Sequence, residues 1–338
     1  MELNERKYAI LSGVIRLYTD TGLPVGSKVL LENMELMLSS ATVRNEMNEL
    51  CEMGLLIQPH ISAGRIPSAN GFLLYIDRLL RGNILMSPIT GLSKELSSLS
   101  AATPSQLIET VCAAVADITG LAAIGSLDFN GDECISEIRL VPLGSTRIMV
   151  VLTTSGGALK SKTTAAEFVS FEAAEMFYAL LKEHILNQPL SNIPQNLTRA
   201  LSMMAGAHAL TLAPLFEAVN EIISEIKEGE LYIKGELNLL LLKEWRQNAE
   251  SFADFLRDKN RIKQLLCASD EPVYIQISNG EDSLPSGSGL ITAGIYKDGD
   301  RAGSISVLGP SRMDYSQIIP TLVYFNKSLE KALRLYVN

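Results

Sequence analysis

The sequence predicts a multidomain α+β protein, and three features of the chain lead to this prediction. Its 338 residues exceed one ordinary domain, which has roughly 100–200 residues. The beginning of the chain has the pattern of helices followed by a short hairpin. Farther along, strand-like segments are interrupted by about sixty residues of helical pattern and then resume, which is typical of a subdomain inserted into a sheet domain.

The composition is that of a folded protein with a sizeable core. Hydrophobic residues make up 47% of the chain and charged residues 20%, which excludes a largely disordered protein. No apolar run approaches the ~20 residues that span a bilayer. The charged start, MELNERK, lacks the apolar core of an export signal. We therefore expect a cytoplasmic protein that does not contact a membrane.

The first predicted domain, residues 1–82, begins with three helices. Apolar side chains recur at helical spacing in residues 4–20, and Gly22 ends this helix. Ser27 can cap a short second helix. A third helix has an apolar face and ends at Gly54. Its cap is Ser39 or Ser40, and its polar face carries Arg44, Asn45, Asn48 and Glu52.

Residues 55–67 predict a β-hairpin, because two short apolar runs flank a turn at 62–64. Another helix follows, with Ser68 as its cap. Three helices, a hairpin and a polar face on the third helix together predict a winged helix-turn-helix.

The polar face of the third helix suits DNA. Arginine binds guanine, and asparagine binds adenine, through paired hydrogen bonds in the major groove. The start of the helix offers N–H groups to a phosphate, and Arg65 lies just past the hairpin turn, where a wing meets the DNA backbone. The alternative is a solvated helix face beside an ordinary hairpin. Charge favours this alternative, since the chain has a net charge of -9 and residues 1–82 hold eight basic and nine acidic residues.

The rest of the chain is predicted as four segments. They are a linker at 83–104, a helix with three strands at 105–167, a helical segment at 168–228, and mixed strands and helices at 229–338. The four cysteines and three histidines are dispersed, and no segment has the spacing of a zinc site, a calcium loop, a phosphate loop or a catalytic triad. We therefore expect no metal, no cofactor and no enzymatic activity.

Four stretches of the sequence resemble the signatures of the HrcA family of heat-inducible transcription repressors. They are GLPVGSK (22–28), LSSATVRNEMNELCEMGLL (38–56), QPHISAGRIPSANGF (58–72) and VLGPSRMDYSQII (307–319). The resemblance implies a winged helix, a GAF-like α/β domain in two parts (105–167 and 229–338) and a helical dimerising domain inserted between them. It also implies repression of chaperone operons through an inverted-repeat operator, CIRCE, which a dimer binds. GroEL would support the active repressor, and unfolded proteins that occupy GroEL would relieve repression.

The family's recognition helix falls on residues 39–47 and its wing on 60–67. Together with the polar helix face, this predicts DNA contacts from nine residues, namely Ser39, Ser40, Thr42, Arg44, Asn45, Asn48, His60, Ser62 and Arg65. Ile61 replaces the family's customary threonine, and Leu73 and Leu74 stand near the usual place of a basic residue. These departures predict a weaker grip on phosphates.

Two alternatives remain open at this stage. The large apolar residues of the helical segment could form the dimer surface, or they could pack against the GAF-like sheet. The chain could also be a sensor with a small ligand in the GAF-like domain, although no cluster of aromatic or charged residues marks a pocket in the sequence.

Overall fold

The computed structural model describes most of the chain. The described residues are 3–34, 38–81, 103–128, 132–165, 169–194, 196–242, 245, 249–278, 284–297 and 299–334. Helices and sheets both occur along these residues, so the predicted α+β class is confirmed. The predicted linker lies outside the described residues except for Thr103 and Pro104, which cap and begin a helix.

The N-terminal segment, residues 3–34 and 38–81, folds into helices and a hairpin. Its elements are α1 (Glu5–Thr21), α2 (Ser27–Asn33), α3 (Ser40–Glu52), β1 (Leu56–Ile57), β2 (Ile66–Pro67) and α4 (Ala69–Arg81). Asn4 caps α1 by accepting a hydrogen bond from the amide of Lys7 at 2.8 Å. Gly22, which follows α1, has a left-handed backbone with φ 69°, and Gly54, shortly after α3, has φ 70°. Both helices therefore end where the sequence predicts a glycine stop.

The core of the N-terminal segment lies between α1, α3 and α4. Its buried side chains include Ile10, Leu11, Val14, Val43, Met47, Leu50 and Phe72. Gly71 lets α4 approach the hairpin closely, since a Cβ atom there would lie 2.1 Å from the carbonyl oxygen of Leu55. This core fixes which face of α3 is turned toward solvent.

The other elements follow in chain order. They are α5 (Pro104–Thr119), β3 (Ala122–Leu127), β4 (Ile135–Pro142), β5 (Arg147–Thr154), β6 (Leu159–Ala165), α6 (Phe171–His184), α7 (Leu197–Met204), α8 (Ala209–Glu228), β7 (Glu230–Lys234), α9 (Glu236–Leu241), α10 (Ala249–Arg257), α11 (Lys259–Leu266), β8 (Val273–Ile277), β9 (Ser288–Lys297), β10 (Asp300–Pro310) and α12 (Tyr315–Leu333).

The first sheet is antiparallel, with the strand order β7-β3-β10-β9-β8. Alternate residues of each strand point to opposite faces, so the sheet has two cores. Ala123 and Val307 face the core shared with α5 and α12. Ile124 and Leu308 face a second core, which contains Trp245 and residues of α9, α10 and α11.

The second sheet, β4-β5-β6, departs from the sequence prediction. The family resemblance implies that these strands belong to the first part of the GAF-like domain, with a boundary at 167/168. Instead Ile138, Val150 and Leu152 share a hydrophobic core with Phe177 and Phe216 of the helices α6 and α8. The expected boundary thus crosses a continuous core, because the strands bury their apolar face against the helices.

The chain between β3 and β7 forms an excursion from the first sheet. The strands β3 and β7 are neighbours, and Leu127 at the end of one pairs with Glu230 at the start of the other. The excursion therefore leaves and returns at adjacent points, which is the geometry that tolerates an inserted unit. We call residues 132–165, 169–194 and 196–229 the insertion; it includes the second sheet.

The N-terminal segment also packs directly on the first sheet's helices. The rings of Phe72 in α4 and Tyr315 in α12 lie 5.7 Å apart, centroid to centroid. Arg312 donates a hydrogen bond from Nη1 to the carbonyl oxygen of Thr19, at 2.9 Å, near the end of α1. One hydrophobic core therefore runs from the N-terminal segment to one face of the first sheet.

Candidate nucleic-acid interface

The nine predicted site residues lie on two neighbouring structures. Ser39, Ser40 and Thr42 are at the start of α3, and Arg44, Asn45 and Asn48 follow on its outer side. The others belong to the hairpin loop, which we define as residues 58–65 between β1 and β2. Arg44, Asn45, His60 and Ser62 are exposed, whereas Asn48 and Arg65 are half-buried.

The hydroxyl groups at the start of α3 are engaged with each other and with the helix. Ser39 caps α3 by accepting a hydrogen bond from the amide of Thr42 at 3.1 Å. The hydroxyls of Ser39 and Thr42 are 2.8 Å apart. The hydroxyl of Ser40 lies 3.0 Å from that of Ser27 and links α3 to α2. These three residues therefore fix the position of the helix start.

An ion-pair cluster joins the buried side of α3 to α1. Glu46 is only 4% exposed, and its carboxylate pairs with Arg6 and, at 2.9 Å, with Lys7. Lys7 also pairs with Glu49 at 2.6 Å. The hydrogen bond from Lys7 is the main reason that the pKa of Glu46 lies below its ordinary value. This cluster was not predicted from the sequence, although an acidic residue within the apolar face of a helix indicates a buried ion pair.

The hairpin loop is attached to the start of α2 through its backbone. The amide of Val25 donates to the carbonyl of Arg65 at 2.9 Å, and the amide of Arg65 donates back at 2.8 Å. Gly64 allows this approach, because a Cβ atom there would lie 2.4 Å from the carbonyl group of Val25. Gln58 donates from Nε2 to the carbonyl of Ile61 at 2.8 Å and so closes the loop on itself.

The side chain of Arg65 turns toward α3. Its Nη2 donates to Oδ1 of Asn48 at 2.5 Å, and its Nη1 lies 3.4 Å from the carbonyl oxygen of Ala63. Its Nε is buried and has no acceptor among the described residues. Two residues predicted as separate DNA contacts are thus bonded to each other.

A groove of about 270 Å³ separates α3 from the hairpin loop. Arg44, Ser62 and Arg65 line it, together with Met47 and Gln58. Asn45 and His60 are exposed on the same two structures but do not line the groove. The structure therefore brings Arg44, Ser62 and Arg65 around one concave surface.

The cations of the N-terminal segment fall into two groups. Ion pairs with carboxylates neutralise four of them, which are Arg6, Lys7, Arg78 and Arg81. The described ion pairs include none with the other four, which are Arg16 on α1 and Lys28, Arg44 and Arg65 on α2, α3 and the hairpin loop. The latter three elements also carry Glu32 and Glu52 without a described ion pair, so three cations stand against two carboxylates there. The local excess of positive charge that a polyanion would meet is therefore small.

Residues with other chemistry do not gather into a site in the described part of the chain. No group of three or more His, Cys, Asp or Glu suited to a metal occurs there. The four cysteines are free, and burial raises the pKa of Cys112 to about 12, which makes it a poor nucleophile at neutral pH. Within the same residues, no helix has the length and apolarity needed to cross a membrane.

Comparison with known proteins decides the family. Residues 105–319 match the family model described as "HrcA protein C terminal domain". A heat-inducible transcription repressor HrcA from Acetivibrio thermocellus is 30% identical over 98% of this chain and 96% of its own length. The chain belongs to the HrcA family. The resemblance found in the sequence signatures is thereby confirmed.

Further relatives agree with this assignment. HrcA of Clostridium perfringens is 30% identical over 98% of this chain and 99% of its own length. A solved structure described as a hypothetical protein matches with a TM-score of 0.67 and 21% identity, covering 99% of this chain and 100% of that one, so the two share a fold. HrcA proteins are transcription repressors, and the chain is accordingly a regulator rather than an enzyme.

Proposed function

We propose that the chain is a cytoplasmic repressor that binds the CIRCE inverted repeat as a homodimer and thereby represses chaperone operons. The observation that carries this proposal is the exposed Arg44 on α3, which lines the groove and forms no ion pair with a carboxylate of the described residues. The N-terminal segment then acts as a winged helix-turn-helix, in which α3 is the recognition helix and the hairpin loop is the wing. Residues of the first sheet and its helices form the GAF-like domain.

In this proposal α3 enters the major groove. Its thirteen residues span about 20 Å, enough to lie across a groove that is about 12 Å wide. Arg44 and Asn45 project from its exposed side and can bond base edges. Ser39, Ser40, Thr42, His60 and Ser62 surround them and lie where phosphates would pass. Asn48 and Arg65 complete the proposed interface.

The insertion provides the proposed dimer surface. Of the large apolar residues that suggested this, Leu180, Leu181, Leu201, Leu212, Leu215 and Ile222 are buried in its own core. Phe171, Met176 and Met203 of the same set remain outside it, at 76%, 37% and 75% exposed. Leu210 of α8, which was not in that set, is 92% exposed. A contiguous apolar patch on a surface marks a contact site, and we place the centre of such a patch at Met203 and Leu210, which are close in the chain where α7 leads into α8. Two recognition helices related by a two-fold axis match the two halves of an inverted repeat.

The regulatory step is carried over from the family signatures. GroEL supports the active repressor, and heat stress diverts GroEL to unfolded proteins, so repression is relieved. The exposed apolar residues of the insertion are compatible with a chaperonin, because chaperonins bind apolar surface.

The test is a fluorescence-anisotropy titration of the full chain with a CIRCE duplex and a scrambled duplex, at two salt concentrations, with and without GroEL. We expect a clear preference for the inverted repeat that strengthens with GroEL. Equal, weak binding to both duplexes in every condition would contradict the proposal.

The proposed dimer is tested by light scattering of Met203→Asp, with Leu237→Asp, at an exposed leucine of α9, as its control. We expect Met203→Asp to halve the measured mass and Leu237→Asp to leave it unchanged.

A second candidate function, ligand sensing, is favoured by one cavity. It measures about 170 Å³ and lies where the first sheet meets the insertion, between Ser105, Lys160 and Glu230. Although burial raises the pKa of Glu230, hydrogen bonds from Lys160, Ser105 and Tyr232 lower it overall. A thermal-shift screen of metabolites tests this function; a shift abolished by Lys160→Met would support it, and no response to any compound would count against it.

A further inference from the structure

The hairpin loop is not held in place by its own strands. Each of β1 and β2 has two residues, and their register contains only two pairs, Leu56 with Pro67 and Ile57 with Ile66. An isolated pair of strands this short is at best marginally stable, and ordering the eight-residue loop costs conformational entropy. The position of the loop must therefore come from contacts outside the hairpin.

The described hydrogen bonds between the hairpin loop and the rest of the protein converge on one residue. The backbone of Arg65 bonds in both directions to Val25, as described above, and its guanidinium bonds to Asn48 on α3. A single residue thus joins the base of the loop to both α2 and α3. Asn48 and Arg65 are seventeen positions apart in the chain, so this bond is a tertiary tie rather than a local turn.

This bond limits what Asn48 can do with a base. To bind adenine through two hydrogen bonds, asparagine must accept from N6 with Oδ1 and donate to N7 with Nδ2. The Oδ1 of Asn48 already accepts from Arg65 at 2.5 Å. Paired reading of adenine would have to use the second lone pair of Oδ1, with the amide held in the orientation that the bond to Arg65 sets. Arg44, one turn earlier on α3, has no such constraint among the described contacts.

The bond also limits what Arg65 can do with a phosphate. An arginine binds a phosphate well when two of its N–H groups point at it as a fork. Here Nη2 is engaged with Asn48, Nη1 is turned toward Ala63, and Nε is buried. The charge of Arg65 still adds to the local field, but one N–H of each terminal nitrogen is engaged and Nε is buried. A phosphate could meet only the second N–H of Nη1 and of Nη2, in the orientation that these contacts set.

We infer that Arg65 and Asn48 are a positioning pair, which sets the wing against the recognition helix, and that neither one reads a base or clamps a phosphate directly. The inference rests on the proposed DNA-binding function and refines it. Arg44 remains the direct contact, and the Arg65–Asn48 bond determines the width of the groove beside it.

The decisive experiment is a double-mutant cycle of Asn48→Ala, Arg65→Gln and the double variant, each as the full chain. Hydrogen exchange in the free protein gives the first measurement, at the amides of Arg65 and Val25. We expect either single change to raise exchange at both amides, and the double variant to behave like the singles, because all three lack the same bond. Exchange that stays at the wild-type level in both Asn48→Ala and Arg65→Gln would overturn the inference, whether or not DNA binds.

The second measurement is anisotropy with the CIRCE and scrambled duplexes across a salt series. For a positioning pair, Asn48→Ala weakens binding to both duplexes by roughly fivefold to tenfold, and the double variant is no weaker than Arg65→Gln alone. If both residues contacted DNA directly, the losses of binding free energy in the two single variants would add up in the double variant. Asn48→Ala would then relax the preference at one base pair, and Arg65→Gln alone would lower the slope of affinity against salt by about one. Arg44→Ala is the control, since it should alter the preference between the duplexes without changing hydrogen exchange at the loop amides.

If neither the wild type nor any variant binds either duplex, the proposed function fails. The hydrogen-exchange data still decide whether Arg65 and Asn48 position the loop.

Discussion

The two walls of the candidate interface, α3 and the hairpin loop, are held in place by different forces. Val43, Met47 and Leu50 bury α3 against the core of the N-terminal segment. The loop instead exposes Ile61 completely and is held by a few polar contacts at Arg65. A substitution in the core lowers the stability of the whole segment and should therefore disturb both walls. A substitution in the loop should disturb the loop alone, because a loop can open locally without unfolding the core.

Leu50→Ala should have the largest effect and should disturb both walls. Leu50 is fully buried, and removing its side chain leaves a cavity that costs about 2–5 kcal/mol of unfolding free energy. Chemical denaturation of the full chain, followed by circular dichroism, measures the loss. Ile61→Ala is the control and should change the unfolding free energy by less than about 0.5 kcal/mol, since Ile61 is exposed. A loss below about 1 kcal/mol for Leu50→Ala would show that α3 is not anchored by this core.

Arg44→Ala should reduce sequence-specific DNA binding and leave the stability of the fold unchanged. We expect the preference for CIRCE over the scrambled duplex to fall by about 1–3 kcal/mol, with an unchanged melting temperature. Lys28→Ala removes an exposed charge from α2 and serves as the control, because it should weaken binding to both duplexes equally. An equal loss on both duplexes for Arg44→Ala would show that α3 touches only the DNA backbone.

Glu46→Gln tests the ion pairs behind α3 and should destabilise the chain by about 1–2 kcal/mol at neutral pH. The folded state lowers the pKa of Glu46 below 4.5, so the ion pairs stabilise the fold above that pH and lose their effect as the pH falls through the folded pKa. The difference between wild type and variant should therefore shrink in acid. Glu49→Gln, at a more exposed partner of Lys7, should cost less. A difference that is the same at neutral pH and near pH 3 would rule out this electrostatic explanation.

Ile61→Thr should have the smallest effect and should act on the loop alone. Ile61 is fully exposed, so replacing it leaves the core unchanged, and the threonine hydroxyl can donate to a phosphate. The gain in affinity for both duplexes should be at most about 1 kcal/mol. Ile61→Val has nearly the same shape without the hydroxyl, so equal affinities for the threonine and valine variants would rule out the hydrogen bond.

Much of the interface could be predicted from local sequence. The cap at Ser39, the glycine near the end of α3 and the position of Arg44 on its polar side depend on residues close together in the chain. The bond between Arg65 and Asn48 could not be predicted, because it depends on the path of the intervening loop. Lys7 and Glu46 are likewise distant in sequence and meet only when α1 packs on α3.

The sequence also did not predict which elements the second sheet packs against, because this too depends on contacts between residues far apart in the chain. Alternation along β4 and β5 shows that one face is buried, but it does not show what covers that face. In the structure Phe177 and Phe216 cover it, and these residues follow in the helices α6 and α8. The helical part of the insertion could be predicted from the helical spacing of its apolar residues. That β4, β5 and β6 belong to the same unit could not, because it depends on tertiary packing.

The contact between Arg312 and the end of α1 has a consequence for the length of the operator. Together with the Phe72–Tyr315 ring contact, it joins the N-terminal segment to α12 and the end of β10, so the proposed recognition helix is packed against the rest of the protein. In the proposed dimer, a body that holds both proposed recognition helices rigidly would fix the distance between them. Adding about five base pairs between the half-sites would turn one of them to the far side of the duplex, out of reach of such a rigid body.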